Sequence, residues 1–152
     1  VITYQLEPWA PFIAEVQPLL PKHWKELALN QDEVPLDPQY EEYARRDQAG
    51  QVLVVTVRED GAIVGYFIGF IAPGLHYKTC LTCTMDIFWL HPDLRGNGLG
   101  QGLFDTIEAE LRRRGVNRFF AGCKLHKDVG HFFEKRGYVP VERYYSLWLG
   151  RS

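Results

Sequence analysis

Arg95-Gly96-Asn97-Gly98-Leu99-Gly100 is the stretch whose residue types and spacing fit a chemical task. It follows the apolar run Asp86-Ile87-Phe88-Trp89-Leu90 and the tetrad His91-Pro92-Asp93-Leu94, and it leads into a segment of helical periodicity. N–H groups at the first turn of a helix have no partner inside it, and the aligned peptide dipoles add partial positive charge at that end. A strand, a loop of small residues and a helix in that order make an anion site mainly from main chain. Glycine in the loop lets a phosphate approach the backbone with no Cβ in the way. A P-loop requires Lys-Ser/Thr after its last glycine, whereas Gln101-Gly102 follows here. The dinucleotide pattern G-x-G-x-x-G would place its third glycine at Gln101 or Leu103. What fits is Arg-x-x-Gly-x-Gly, from Arg95, Gly98 and Gly100; the alternative is a tight strand-to-helix turn with no ligand.

Asp86 is a lone carboxylate in an otherwise apolar strand. Burial there would raise its pKa and suit it to general-base work. The alternative is an aspartate hydrogen-bonded to a neighbouring hydroxyl such as Tyr66 or Thr84. Cys80-x-x-Cys83 and Cys123-x-x-His126 have spacings seen in zinc sites. Residues three apart on a strand face opposite sides, so buried free thiols are the better reading and no metal is expected. His23, His91 and His131 read as structural or solvated.

The elements that must position these residues can be placed from patterning. Residues 1–6 read as a strand. Helical texture over 8–29 is broken by Pro11, Pro18 and Pro21, and Pro21 can open a helix over 22–29. Residues 30–38 form a polar loop, with Asp37 capping a helix over 38–48. Strands over 51–58 and 62–71 flank a Glu59-Asp60-Gly61 hairpin turn. After a loop over 72–77, a long strand covers 79–90. The helix that follows carries Leu99, Leu103, Ile107 and Leu111 as a stripe widened by Phe104, with Glu108, Glu110, Arg112, Arg113 and Arg114 toward water and Gly115 ending it. A strand over 116–123, a helix over 126–136 and a strand over 138–149 close the chain. The order β-α-α-β-β-β-α-β-α-β predicts an α/β domain with a mixed sheet.

At 152 residues the chain is long enough for one domain with its own core. No apolar run approaches the ~18–20 residues of a membrane span, and the N-terminus lacks a charged-then-apolar leader. A first residue Val1 fits processing or excision from a longer chain. A net charge of -2 gives no nucleic-acid footprint. Three cysteines, an odd count, point to a reducing cytoplasm.

The Arg95–Gly100 motif, preceded by Leu90-His91-Pro92-Asp93-Leu94 and followed by a long helix, resembles the pyrophosphate loop of the GNAT acyltransferases, Gln/Arg-x-x-Gly-x-Gly/Ala. The likeness continues in Phe132-Phe133-Glu134-Lys135-Arg136-Gly137-Tyr138, an aromatic pair, three residues, then glycine and an aromatic. It covers roughly residues 50–149; the N-terminal third is similar only in layout. The chain is similar in particular to compact acetyltransferase-like proteins often encoded by tailed phages. The resemblance implies a GNAT fold: a mixed, mostly antiparallel sheet of about six to seven strands flanked by helices, with a splayed parallel pair. It implies acetyl-CoA as cosubstrate, held by Phe88, Trp89 and Leu90 at the strand end and by Arg95, Gly96, Asn97, Gly98, Leu99 and Gly100 in the loop, with no metal. The acceptor would be an amine, on a small molecule or a protein, and neither nucleic acid nor membrane would be a partner. Relatives are often dimers, so a homodimer is one expected assembly. The Arg112–Arg114 run could alternatively meet the CoA 3′-phosphate.

Two departures from the family pattern matter. Many relatives carry a Tyr at the second aromatic position as general acid for the CoA thiolate, and this chain has Phe133. Many carry an Asn seven residues earlier, where His126 stands. His126, Tyr144 or Tyr145 would then supply the acid. Relatives often place an acidic residue four positions before the strand end, which is Asp86 here. Deprotonating an amine of pKa about 10.4 at pH 7 costs roughly 4.6 kcal/mol, and losing an unprotonated thiolate of pKa about 8.5 only about 2 kcal/mol. The base therefore matters more than the missing tyrosine. His76 and Tyr77 before the long strand, with Tyr4, Trp24 and Tyr40, are candidates for lining the acceptor side. The rival class is a catalytically silent acyl-CoA-binding module, part of a larger phage or regulatory assembly. Which amine is acetylated is not legible in the loops.

Overall fold

Asp60 and Gly61 have φ values of 50° and 89°, the left-handed pair that a two-residue hairpin turn of the right twist requires. They join β2 (Val52–Glu59) to β3 (Ala62–Gly74), neighbouring strands inside the sheet. The computed structural model describes residues 1–123 and 128–151. It divides into two units, Val1–Pro18 with Gln39–Phe120, and Leu19–Pro38 with Ala121–Ser152.

The first unit holds a five-stranded sheet in the order β1-β2-β3-β4-β5, with β1 at Ile2–Leu6, β4 at Tyr77–Leu90 and β5 at Arg118–Phe120. All pairings are antiparallel except β4 with β5. The helix α4 (Leu99–Arg113) makes the crossover that a parallel pair needs. On the other side stand α1 (Trp9–Val16) and α3 (Tyr40–Gln48). This is the expected mixed, mostly antiparallel sheet with a parallel pair, but with five strands rather than six or seven among the described residues. The hairpin loop expected over 72–77 shrinks to Leu75 and His76, because β3 continues to Gly74. The strand expected over 116–123 contracts to three residues. The helix expected from Pro38 starts at Tyr40, and Asp37 does not cap it: Gln39 is the capping position and gives no side-chain hydrogen bond.

Register assigns the faces. Val55, Phe67 and Phe88 are cross-strand partners, as are Thr56, Tyr66 and Trp89. Phe67 and Phe88 meet Phe104 of α4, with ring centroids 6.1 and 5.0 Å apart. Tyr66 meets Phe12 of α1 at 5.3 Å. Gly69 sits where a Cβ would lie within 3 Å of the Phe67 ring and the Cys83 sulfur, so the close packing of that face excludes any side chain. Arg58 ties β2 to the opposite layer, bonding Glu7 and Glu15 at 2.8 Å each, while the Thr56 hydroxyl donates to Glu7.

The α4 stripe buries Leu103, Phe104, Ile107 and Leu111 as its spacing predicts. Glu110 departs from expectation. It is 5% exposed rather than facing water, because Arg113 and Arg114 bind its carboxylate at 2.6 and 2.7 Å. The Arg113 hydrogen bond, aided by Arg114 against the cost of burial, holds its pKa down to about 2. A carboxylate lowered on folding stabilises the protein above its unfolded pKa, and that contribution fades as pH falls through the folded value. Glu110→Gln is therefore expected to lower the Tm at pH 7 and to flatten its decline between pH 4.5 and 2. Thermal melts across that window check this, and an unchanged slope contradicts it.

The second unit, among its described residues, holds α2 (Leu20–Leu27), opened by Pro21 as expected, and α5 (Gly130–Lys135). His23 of α2 is buried, the structural role expected of it, and Gln31 closes the helix by donating to the Lys25 and Ala28 carbonyls. The helix expected over 126–136 is shortened to α5, and residues 124–127 lie outside the described set. No strand forms over 138–149. The run is rich in Val, Tyr and Leu, but strand pairing needs a partner's ladder as well, and Tyr144, Tyr145 and Leu147 are 80–87% exposed.

Candidate active site

The strand-to-helix loop begins as β4 ends. His91 N–H still bonds the Val64 carbonyl at 2.8 Å, extending the ladder one residue past Leu90. Pro92–Leu94 then makes one 3-10 turn, with His91 Nδ1 accepting from Asp93 N–H at 3.1 Å. Arg95 Nε donates to the Leu90 carbonyl at 2.9 Å, which fastens the first residue of the motif to the last residue of the strand. Gly96 and Gly98 have φ of 84° and 79°. A Cβ at either would meet nothing within 4 Å, so glycine is there for the dihedral rather than for room.

Gly98 is the N-cap of α4, with no side-chain cap and no acidic residue in the first turn. No capping side chain competes for the first-turn N–H groups, and their field is not offset by a local carboxylate. Arg95, Gly96, Asn97 and Gly98 are exposed; Leu99 and Gly100 are half-buried. These consecutive residues form the strand-to-helix loop, with the helix N-terminus and one cation beside it. Phe88, Trp89 and Leu90 are engaged in packing: Phe88 meets Phe104, Trp89 meets Tyr66 at 5.9 Å, and Leu90 is 7% exposed. What these three offer a ligand is therefore main chain.

Asp86 lies upstream on the same strand. Its neighbours pair as Ile87 with Ile68 and Met85 with Gly69, so Asp86 is the extra residue of a β-bulge. The bulge puts Asp86 and Ile87 on one face, toward α3, while Phe88 keeps its place under α4. Two expectations for Asp86 are corrected here. The residue is exposed rather than buried, because the bulge turns it out of the sheet, and the argument from desolvation does not apply. Its hydroxyl partner is neither Tyr66 nor Thr84 but Tyr43 of α3, whose phenol donates to Asp86 Oδ2 at 2.5 Å. Burial, then that hydrogen bond, pushes the Tyr43 phenol well above its ordinary pKa; burial and the Asp86 charge do the same to Tyr66. Tyr43 was not legible as a partner: 43 residues separate it from Asp86, and its sequence signal is only a second aromatic three positions after Tyr40.

The other candidates are dispersed. Tyr4 lies against Gly102 of α4, on the face opposite α1 and α3. His76 and Tyr77 are exposed at the β3–β4 turn, with Arg118 over the Tyr77 ring at 5.3 Å. Tyr40 is half-buried in the first turn of α3, and Trp24 is half-buried in the second unit. Phe133 is buried there against Phe132 and Tyr138. His126, the sequence candidate for the acid, lies outside the described residues. Burial pushes the Cys83 thiol up to about 12, and Cys123 is also raised, first by burial and then by donating to Asp128 at 3.2 Å. Neither is prepared as a nucleophile.

The family profile described as "Acetyltransferase (GNAT) family" matches residues 15–138. No curated protein matches the sequence. Among solved structures, a ribosomal-protein-alanine N-acetyltransferase from Brucella melitensis superposes with a TM-score of 0.75 at 19% identity, covering 99% of each chain. An aminoglycoside acetyltransferase from an uncultured soil metagenomic sample gives 0.74 at 14% identity, again over 99% of both. A Clostridium acetobutylicum protein solved with acetyl-CoA gives 0.70 at 15% identity, over 98% of this chain and 97% of that one. At these identities the likeness is one of fold.

Proposed function

The chain belongs to the GNAT acetyltransferase family, and from that membership we propose that it moves an acetyl group from acetyl-CoA to an amine by direct attack. The observation that carries the reading is the loop: two left-handed glycines and an arginine fastened to the strand end, at the N-terminus of a helix with no capping side chain. The N–H groups of residues 96–100 and the Arg95 guanidinium bind the diphosphate. The backbone at Phe88, Trp89 and Leu90 orients the thioester. Asp86, two residues before Phe88 on the same strand, accepts the proton that the attacking amine loses, directly or through one water. The amine nitrogen bonds to the carbonyl carbon, the C–S bond breaks, and the thiolate leaves to take a proton. The buried Phe133 has no hydroxyl to give it, and His126, Tyr144 and Tyr145 are the sequence candidates for that proton. The three free thiols fit a reducing compartment, the cytoplasm. Among the described residues no helix is long and apolar enough to cross a membrane.

Calorimetric titration of acetyl-CoA and desulfo-CoA into wild type and Arg95→Ala tests this reading. Wild type is expected to bind in the micromolar range. Losing charge-assisted bonds worth about 1.5–3 kcal/mol weakens the variant at least tenfold. No binding to either protein overturns the reading. Binding without turnover on a panel of polyamines, aminoglycosides and peptide amines would identify a silent acyl-CoA module instead.

A further inference from the structure

We propose that Tyr43 is a positioning residue for the acyl transfer: its phenol, wedged between Trp9 and Phe70, holds the Asp86 carboxylate in the orientation that receives the amine proton. This rests on the reading of Asp86 as the base. Three observations support it. The Tyr43 hydroxyl reaches Asp86 Oδ2 at 2.5 Å, across two elements that meet only through the fold. Its ring is stacked on Trp9 with centroids 4.5 Å apart and planes within 7°, and Phe70 lies 5.5 Å away on the sheet. Asp86 is the bulge residue, so the ladder that fixes its neighbours does not fix its direction. An aspartate side chain has several staggered rotamers open to it. A rigid donor that selects one of them converts an encounter between amine and carboxylate into a set geometry, where a misplacement of ~1 Å costs on the order of 100-fold.

Among the described residues of the first unit, these groups face the pair. From β3 comes Tyr66, which is fully buried. From α3 comes Arg46, stacked over Phe70 at 4.7 Å and paired with Glu42 at 2.9 Å. From α1 come Trp9 and Phe12, which carry no charge. Donation to the ionised carboxylate favours that form, so removing the phenol raises the pH at which Asp86 takes up its proton.

The test compares wild type, Tyr43→Phe and Asp86→Asn. In Tyr43→Phe, kcat is expected to fall about tenfold and the acid limb of the pH–rate profile to move up by about half to one unit, while acetyl-CoA affinity holds. A packing role alone would lower the Tm and leave the limb in place, so an unmoved limb with unchanged kcat overturns the proposal. If Asp86→Asn retains wild-type turnover and pH profile, the base reading fails and the positioning role falls with it; if Asp86→Asn loses the acid limb but Tyr43→Phe does not shift it, the positioning role fails alone. A carbon-13 titration of the Asp86 carboxyl in wild type and Tyr43→Phe gives a readout that needs no acceptor. An upward shift of the same size supports the proposal, and coincident titrations overturn it.

Discussion

Gly98→Val is expected to weaken acetyl-CoA binding by ten- to a hundredfold while leaving the fold almost as stable as before. The N-cap of α4 has φ 79°, and a β-branched residue held there carries about 1–3 kcal/mol of strain. The loop relieves that strain by turning φ negative, which rotates the peptide planes on either side of position 98. The N–H groups proposed to bind the diphosphate are reoriented, and the loss falls on binding. Stability is spared because Gly98 is exposed and its Cβ direction is open. Calorimetry beside thermal melts checks the split. An affinity within twofold of wild type would mean that the left-handed conformation is not what the ligand reads.

Phe104→Ala is expected to do the reverse, removing about 3–5 kcal/mol of stability. Phe104 is fully buried on α4 and its ring meets Phe67, Phe88 and Phe119 at 6.1, 5.0 and 6.3 Å. One side chain thus joins three strands to the crossover helix. Domains of this size keep about 5–15 kcal/mol in all, and each kcal/mol moves Tm by about 2–4 °C. A fall of about 6–20 °C should follow, with little loss of acetyl-CoA affinity at 10 °C where the variant remains folded. A drop under 3 °C would show that the neighbouring rings close over the gap.

What was legible beforehand followed the range of the interactions involved. The loop from Arg95 to Gly100 was read from spacing because its task is local: a dihedral, a helix end and a cation within six residues. The α4 stripe was read because burial repeats at 3.6 residues. The burial of Glu110 is not legible in the sequence, because a charge at that position looks solvated until Arg113 and Arg114 from the same helix end fold over it. Asp86 was found, but its environment was not. A bulge leaves no mark in a run of apolar residues, and the phenol that meets it comes from a helix ordered by other contacts. The strand expected over 138–149 does not form because a β-prone composition does not by itself supply a partner. The bulge at Asp86 is a departure of the kind expected at functional sites.

The bulge in β4 also separates two kinds of information along one strand. Before it, Cys83 and Met85 are in phase with the α4 face, and after it Phe88 and Leu90 are; the odd-even code changes sign at position 86. A residue lost between Thr82 and Leu90 at any position but 86 or 87 would throw one end of the strand out of phase with its partner. A residue lost at 86 would close the ladder into a regular one, with every other side chain still facing its own layer. The carboxylate therefore occupies the letter of this stretch that carries no folding message, and selection for chemistry can change it without rewriting the core.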